Sequence, residues 1–382
     1  MPATGMHGRG VAEPSGTVVF VNLVGGADGL SLLVPHSDPE YLRRRPGLAV
    51  AAPGERYGAI DLGRGLGLHP AMAPVYNAVG GSERLAMIGG VGVPDGEGGE
   101  SMHLPSRDFL HRGGRHEREG WATRLLRFEG MDASATWSFG AGPHPMFEGL
   151  PDHAALTPPV KIGARHVVAG DVAAEAVTGT VGPPSATRSA TSRWSDDQWE
   201  SPAERLSRGY PEGRLGRALA STADMLRHDA GLRIVAIEQL GYDTHVDQGD
   251  GRAGVLAHKL DRLGRSLAAF WADVVSTRSS SLDADPVTVV VVSEFGRAID
   301  ENDSGGTEHG RGGVALVFGD RVVGGVHGDL PSVEHDDVWP VTIDVRRVLA
   351  DAVATHGFRP WRSGVFARLA LPNRSLGLLL SP

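Results

Sequence analysis

Four apolar runs limit what this 382-residue chain can fold into. The first, TVVFVNLV over Thr17–Val24, is rich in β-branched residues and ends at glycines, which is the pattern of a central strand buried on both faces of a sheet. Similar runs predict strands over Arg84–Val93, Leu232–Leu240 and Pro286–Ser293, with a fifth strand over Val314–Phe318.

Helical patterns lie between these strands. Apolar residues spaced by threes and fours form one stripe from Leu256 to Val274, and further helices are predicted from Gly213 to His228 and over Val341–His356. Strands that alternate with helices favour an α/β fold, in which helices flank a mostly parallel, doubly wound sheet.

The chain is predicted to hold one domain. Residues 1–16 form a polar tail that we expect to be disordered, and residues 17–382 form a single α/β domain with a variable insertion around 130–230. Within this insertion, Val177–Ser201 is dense in Ser, Thr, Pro and Gly, which predicts a surface loop or a partly disordered segment.

Composition excludes several classes of function. A net charge of −9 without a basic run argues against nucleic acid as a partner, because phosphate backbones are held by clustered Lys and Arg. The chain has no cysteine, which excludes thiolate metal sites and a cysteine nucleophile. No run of 18 apolar residues and no signal peptide are present, so we expect no membrane association and a cytoplasmic location. The sequence does not indicate the oligomeric state.

Polar segments follow or closely flank the predicted strands. The carboxyl ends of the strands in an open α/β sheet share one edge, so residues placed after different strands converge there. The segments are Gly25–Gly29, Ser101–His103, Gly241–His245, Ser293–Arg297 and Gly305–Gly310.

These segments carry the ligand types that divalent metal ions prefer. Three carboxylates and three imidazoles suit zinc first, and also manganese, magnesium or calcium. One ion needs four such ligands, whereas a pair of ions would need most of the set. Histidines elsewhere, such as His111, are expected to be surface or structural residues. The predicted metal ligands are Asp28, His103, Asp243, His245, Glu294 and His309.

Several of these residues also have a plain structural interpretation. Asp28 is suited to cap a short following helix, and Glu294 is suited to form an ion pair with Arg297. His103 and His309 are also compatible with ordinary loop positions. Asp243 and His245, two residues apart after a buried strand, are harder to explain as a simple turn.

The same segments resemble a known family. VNLVGGADGLSLLVPHSDPEY, LGLHPAMAPVY, GYDTHVDQG, VVVVSEFGRAIDENDSGGTEHGRGGVALVFG and GGVHGDLP together are similar to the family called domain of unknown function 1501 (DUF1501), which is grouped with the alkaline phosphatase and sulfatase superfamily. The resemblance runs with gaps from about residue 17 to 370, and the middle third diverges. It implies an alkaline-phosphatase-like sheet with a metal site at its carboxyl edge.

The resemblance also implies ligand roles. Asp28 resembles the superfamily's acidic ligand after the first strand, and Asp243 and His245 resemble its second ligand cluster. Glu294 occupies the place of the late acidic ligand, and His309 is similar to the last histidine ligand.

Two positions depart from the superfamily pattern. The superfamily has an Asp-His pair where this chain has Glu294-Phe295, and relatives often have Ser-His where it has Met102-His103. A methionine cannot attack phosphorus or sulfur, so Ser101 or a metal-bound water would have to be the nucleophile.

The predicted function is that of a metal-dependent hydrolase or transferase for a phosphate or sulfate ester, acting on a small anionic substrate. In this hypothesis His103 is a ligand or general acid, Ser101 or bound water is the nucleophile, and Arg297 or Arg311 neutralises the anionic group. One alternative is a non-catalytic relative that binds a small molecule or a protein. Another is a tailoring enzyme that uses the same edge for different metal chemistry.

Overall fold

A computed structural model describes most of the chain. The described residues are 14–97, 101–139, 144–151, 155–156, 160–162, 165–167, 202–228, 231–278, 285–361, 364–366 and 376. The predicted surface loop Val177–Ser201 and most of the predicted tail lie outside these residues. Ser15, at the end of that tail, already donates a backbone hydrogen bond to His356 O.

The secondary structure alternates as the sequence predicts. The strands are β1 (Thr17–Val24), β2 (Leu33–Val34), β3 (Ile60–Gly63), β4 (Leu66–Leu68), β5 (Leu85–Gly92), β6 (Thr136–Phe139), β7 (Ala155–Leu156), β8 (Val160–Ile162), β9 (Arg165–Val167), β10 (Ile234–Leu240), β11 (Val287–Ser293), β12 (Gly313–Gly319), β13 (Gly325–Gly328) and β14 (Ile343–Asp344). The α-helices are α1 (Gly29–Leu32), α2 (Pro39–Arg44), α3 (Ala73–Val79), α4 (His103–Arg112), α5 (Trp121–Phe128), α6 (Pro202–Ser207), α7 (Arg214–His228), α8 (Val255–Arg278) and α9 (Val345–Ala354).

In the part of the chain that the structure describes, nine strands form the central sheet, in the order β13-β5-β12-β11-β1-β10-β6-β7, with β14 beside β5. Strand β1 pairs in parallel with β10 and β11, whereas β12 runs antiparallel to both of its neighbours, β11 and β5. The carboxyl ends of β1, β5, β10 and β11 therefore lie at one edge. Because β12 runs in the opposite direction, the loop that leads into it reaches the same edge.

Helices cover both faces of this sheet. Val19 and Val21 of β1 pack into one apolar cluster, together with residues of α3, α7 and α8. Val18 and Phe20, which alternate with them, pack into a second cluster with residues of α4, α5 and α9. Alternate burial on two faces explains why the strand sequences are continuously apolar.

The mostly parallel, helix-flanked sheet is confirmed, and all five predicted strands form. The last predicted helix differs in its start, because Ile343 and Asp344 pair with β5 and the helix begins only at Val345. Asp344 caps it by accepting a hydrogen bond from Arg346 N at 2.9 Å. Within the described residues, no helix is both long and apolar enough to span a bilayer.

Candidate functional site

Four polar side chains from three loops meet at the carboxyl edge of the sheet, and we call them the edge cluster: His103, Asp243, His245 and His309. His103 begins α4, Asp243 and His245 follow β10, and His309 lies in the loop that leads into β12. Ligand atoms of His103, Asp243 and His309 all lie within 4.8 Å of one another. The structure thus brings together four of the six predicted metal ligands.

The Asp243 carboxylate is the centre of the edge cluster. Its Oδ1 lies 3.0 Å from His245 Nε2 and 3.1 Å from His309 Nε2. Its Oδ2 lies 3.4 Å from His103 Nε2. Three imidazoles therefore direct the same ring atom, Nε2, at one carboxylate.

The other ring nitrogen of each histidine faces a hydrogen-bond acceptor. His103 Nδ1 lies 2.5 Å from Glu294 Oε1, and His245 Nδ1 lies 3.1 Å from Glu308 Oε2. His309 Nδ1 lies 2.8 Å from the carbonyl oxygen of Ser101. A carbonyl oxygen and an ionised carboxylate can only accept, so with Glu294 and Glu308 ionised each Nδ1 carries the proton, and a neutral ring in this tautomer presents an Nε2 lone pair to the cluster.

The closest pair of these ring nitrogens is well placed to hold a cation. His245 Nε2 and His309 Nε2 lie only 3.1 Å apart. At this distance the two nitrogens can share at most one proton, so at least one lone pair is directed at the other nitrogen and at Asp243. A proton or a metal ion would relieve this repulsion, and histidines whose Nδ1–H is held by carboxylate or carbonyl oxygens are the usual metal ligands.

Asp243 is held in its ionised form. Burial raises the pKa of its carboxyl, but the hydrogen bond and charge of Arg297, together with His309 and His245 when these rings carry a proton toward it, outweigh burial and lower the pKa below its ordinary value. Arg297 lies 2.5 Å from Asp243 Oδ1.

Arg297 therefore has a different position from the one expected of an anion-binding residue. Its side chain is fully buried, and it donates hydrogen bonds to the carbonyl oxygens of Gly25, Gly26, Tyr242 and Thr307 as well as to Asp243. In this arrangement the guanidinium joins the loops that carry the edge cluster and does not face solvent.

Two glycines allow these loops to approach closely. Gly25 has φ +117°, and a Cβ there would lie 2.3 Å from Asp243 N. A Cβ at Gly306 would lie 2.2 Å from the carbonyl carbon of His245. Neither position tolerates a side chain without displacement of a loop that bears a cluster residue.

Glu294 supports His103. The residue is 1% exposed, and its Oε1 accepts from Gly25 N at 3.0 Å as well as from His103 Nδ1. Its Oε2 has no hydrogen-bond partner among the described residues and faces Arg107 Nε at 3.5 Å. Burial raises the pKa of Glu294, although His103 and Arg107 oppose this shift. The predicted ion pair with Arg297 does not form, since Arg297 pairs with Asp243.

Asp28 lies in a separate, buried network. Its Oδ2 accepts hydrogen bonds from Arg45 at 2.5 Å, Gln248 at 2.6 Å and Ser31 at 2.7 Å, and its Oδ1 caps α1 through Leu30 N. Burial alone would raise the pKa of this carboxyl, but the charge of Arg45 and these hydrogen bonds lower the pKa by more than burial raises it. The net pKa lies below its ordinary value, so the carboxyl is ionised. The structural interpretation of Asp28 as a helix cap is thus what the geometry shows, and the structure does not bring it into the edge cluster.

Two predicted site residues remain. Ser101 lies beside the edge cluster, and Arg311 pairs with a residue outside it. Ser101 has φ 56°, an uncommon conformation for a residue with a side chain, and its hydroxyl donates to Gly310 O at 2.6 Å. Its carbonyl oxygen fixes His309. Arg311 forms an ion pair with Asp95.

A second group of imidazoles lies deeper, and we call it the inner cluster: His111, His144 and Glu238. Glu238 Oε1 lies 3.8 Å from His111 Nε2 and 4.0 Å from His144 Nε2. Arg107 Nη2 donates to the same oxygen at 2.9 Å. Because Arg107 also faces Glu294, this arginine connects the two clusters.

The inner cluster differs from the edge cluster in tautomer. His144 Nδ1 accepts a hydrogen bond from Met146 N at 3.2 Å, so it carries no proton and the neutral ring has its proton on Nε2. A protonated Nε2 offers no lone pair to a metal ion. Burial lowers the pKa of His144 to about 4, and burial together with His144 lowers that of His111 well below its ordinary value.

Sequence reasoning missed Glu308, Arg107 and the inner cluster. Glu308 stands directly before a predicted ligand, which was a signal that it orients a neighbouring ring. His103, Arg107 and His111 are spaced by four residues, so they share one face of α4. A helix that begins at His103 would have indicated this shared face from the spacing alone.

Comparisons with known proteins bear mainly on the second half of the chain. The family model described as "Protein of unknown function (DUF1501)" matches residues 215–364, and this match supports the resemblance for that part, which contains Asp243, His245, Glu294 and His309. No curated protein matches the chain. Two crystal structures of Ps i-CgsB, one in complex with k-i-k-neocarrahexaose, are 9% identical and cover 91% of this chain and 73% of theirs, with TM-scores of 0.41 and 0.40. At such TM-scores the likeness carries no argument about fold or function.

Proposed function

We propose that this protein is a metal-dependent hydrolase or transferase that acts on a phosphate or sulfate ester, with one divalent ion held by the edge cluster. The observation that carries the proposal is the convergence of three imidazole Nε2 atoms on the Asp243 carboxylate, each with its Nδ1 facing an acceptor. Three nitrogens and one oxygen are a ligand set that suits zinc above magnesium or calcium.

The roles of the residues follow from their partners. His103, His245 and His309 would be ligands through Nε2, and Asp243 would supply the negative charge. Glu294, Glu308 and the Ser101 carbonyl would hold the three rings in the tautomer that binds the ion. A divalent ion at this place would polarise an ester oxygen and lower the pKa of a bound water.

The nucleophile is either that water or the Ser101 hydroxyl. The hydroxyl donates a hydrogen bond to Gly310 O, and because an amide carbonyl cannot take the proton as a base, the O–H would have to turn to another acceptor for the serine to be activated. A comparison of wild type with Ser101→Ala separates the two: unchanged turnover supports water, and loss of turnover supports the serine.

The test combines metal analysis with a screen of phosphate and sulfate esters. We expect about one zinc per chain, turnover of at least one ester, and loss of both on treatment with a chelator. Asp243→Asn keeps the size of the side chain and an acceptor for Arg297 but removes the charge, so it should lose metal and activity. His335→Ala, at an exposed histidine, is the matched control. Wild-type metal content in Asp243→Asn would contradict the proposal.

A second candidate is a metal-binding protein without ester chemistry. Two observations favour it: the Ser101 hydroxyl is engaged by backbone, and Arg297, the expected partner of an anionic substrate, is buried. In that case the protein would bind one ion as above, yet no ester in the screen would be turned over with zinc, manganese, magnesium or calcium.

A further inference from the structure

A pocket with two arginines lies between the loop after β10, which also carries two residues of the edge cluster, and a second loop. Its volume is about 270 Å³, and its polar lining comes from Arg56, Tyr57, Asp250 and Arg252, which we call the arginine pocket. One wall belongs to the loop between α2 and β3. The other belongs to the loop after β10, which also carries Asp243 and His245.

The walls of the arginine pocket are fixed by close backbone packing. A Cβ at Gly58 would lie 2.0 Å from Ala52 O, and a Cβ at Gly251 would lie 2.8 Å from Tyr57 O. Tyr57 has φ 59°, a left-handed conformation that is uncommon for an aromatic residue and that the surrounding turn imposes. The first wall is therefore packed on itself at Gly58, and the two loops are packed against each other where Gly251 meets Tyr57.

The charge of the pocket is positive. Both arginines are exposed, and neither guanidinium forms an ion pair among the described residues. Arg56 lies over the Tyr57 ring, 5.0 Å from its centroid. The Asp250 carboxylate, the acid of the lining, turns its Oδ1 to the backbone amides of Arg252 and Ala253 at 2.8 and 3.0 Å. Two positive guanidinium groups and one negative carboxylate therefore give the pocket lining a net positive charge.

The arginine pocket is connected to the edge cluster through Asp28. Arg45, four residues before the first wall, and Gln248, two residues before the second, both donate to Asp28 Oδ2. Gln248 Oε1 in turn accepts from Thr244 and Thr307, which are neighbours of the cluster residues. The buried carboxylate of Asp28 therefore fixes the two walls relative to each other and to the edge.

We propose that the arginine pocket binds an oxyanion of the phosphate or sulfate class, through residues that are not part of the edge cluster. Guanidinium groups match the oxygens of such anions in bidentate fashion, and a rigid pocket reduces the entropy lost on binding. Under the proposed function, on which this extension rests, the pocket would receive a second anionic group of the substrate besides the ester.

The test is a calorimetric titration of inorganic phosphate, and separately of inorganic sulfate, into the full chain after metal removal at pH 8. We expect Arg56→Gln/Arg252→Gln to weaken anion binding by at least about tenfold, since two charge-assisted hydrogen-bonding groups are lost. Arg43→Gln/Arg265→Gln removes the same charge from exposed positions elsewhere and should bind as wild type does.

Two outcomes would overturn the proposal: equal affinity in wild type and the Arg56/Arg252 variant, or an equal loss in both double variants, which would indicate a general charge effect. Both results are independent of metal binding and of ester turnover, so they are distinguishable from failure of the proposed function. If an ester is turned over, the Arg56/Arg252 variant should raise KM for a substrate with two anionic groups and leave KM for a monoester unchanged.

Discussion

The edge cluster and the inner cluster contain the same chemical groups but are prepared for different states. In the edge cluster every Nδ1 faces an oxygen acceptor, so the Nε2 lone pairs point inward at Asp243. In the inner cluster His144 Nδ1 faces the Met146 N–H, so Nε2 carries the proton. The hydrogen-bond partner of Nδ1 thus decides whether the Nε2 of a histidine can bind a metal ion. The number of imidazoles in a cluster does not decide it.

Burial separates the two clusters further. The histidines of the edge cluster are partly exposed and face an ionised Asp243, which favours a cation. His111 and His144 are almost fully buried, and burial keeps them neutral at ordinary pH. The first cluster is therefore suited to hold a positive ion and the second to exclude one.

The largest expected difference between the clusters is in metal binding. His309→Ala removes an Nε2 ligand and should abolish retention of the ion at micromolar zinc, an effect beyond the roughly 10–100-fold that removal of an orienting group causes. His144→Asn keeps an acceptor for Met146 N and should retain wild-type metal content. Equilibrium dialysis with metal analysis checks both variants, and loss of the ion from His144→Asn alone would reverse the assignment.

The next effect concerns stability in acid. The folded-state pKa of His144 is about 4, below that of an unfolded histidine, so the unfolded chain takes up the proton first as the pH falls. The contribution of His144 to the free energy of unfolding is complete above about pH 6.5 and lost toward pH 4, a change of about 3 kcal/mol. The His144→Asn variant should lack this part of the loss in the free energy of unfolding.

Denaturant unfolding at pH 7 and pH 4 measures this change, with His335→Asn, at an exposed histidine, as the control. The wild type and the control should lose more stability than His144→Asn between the two pH values. An equal loss in all three proteins would show that the inner cluster does not exclude protons as described.

The smallest effect tests the orienting groups. Glu308→Ala removes the acceptor that faces His245 Nδ1, and because Glu308 is largely exposed, we expect metal affinity to fall by about tenfold, at the low end for such groups. Glu334→Ala, at another exposed acid, should leave the affinity unchanged. A direct zinc competition titration with a chromogenic chelator compares the two variants. Unchanged affinity in Glu308→Ala would mean that the ring orientation is set by the backbone alone.

Much of the fold could be predicted because it rests on local patterns. The apolar strands and the stripe of α8 are visible as periodicity, and the placement of Asp243 and His245 at the carboxyl edge follows from the direction of β10, whereas His309 reaches that edge only because β12 is antiparallel. The antiparallel course of β12 could not be read from its sequence, since a buried strand has the same pattern in either direction.

The partners of individual site residues could not be predicted, because they depend on contacts between residues that are distant along the chain. Asp28 and Glu294 are both acids after strands, and only the structure shows that Arg45 holds the first and that His103 contacts the second. The partner of Arg297 is Asp243, 54 positions away, and not the nearby Glu294. The spacing of residues along the chain does not predict such pairs.

The central claim is that one ion is bound by three Nε2 atoms and Asp243, and a crystal structure of the zinc-loaded protein with anomalous diffraction at the zinc edge tests it most directly. We predict a single anomalous peak per chain, about 2.0–2.1 Å from the Nε2 atoms of His103, His245 and His309. Absence of a peak at the edge cluster in zinc-saturated protein, or a peak between His111 and His144, would contradict it.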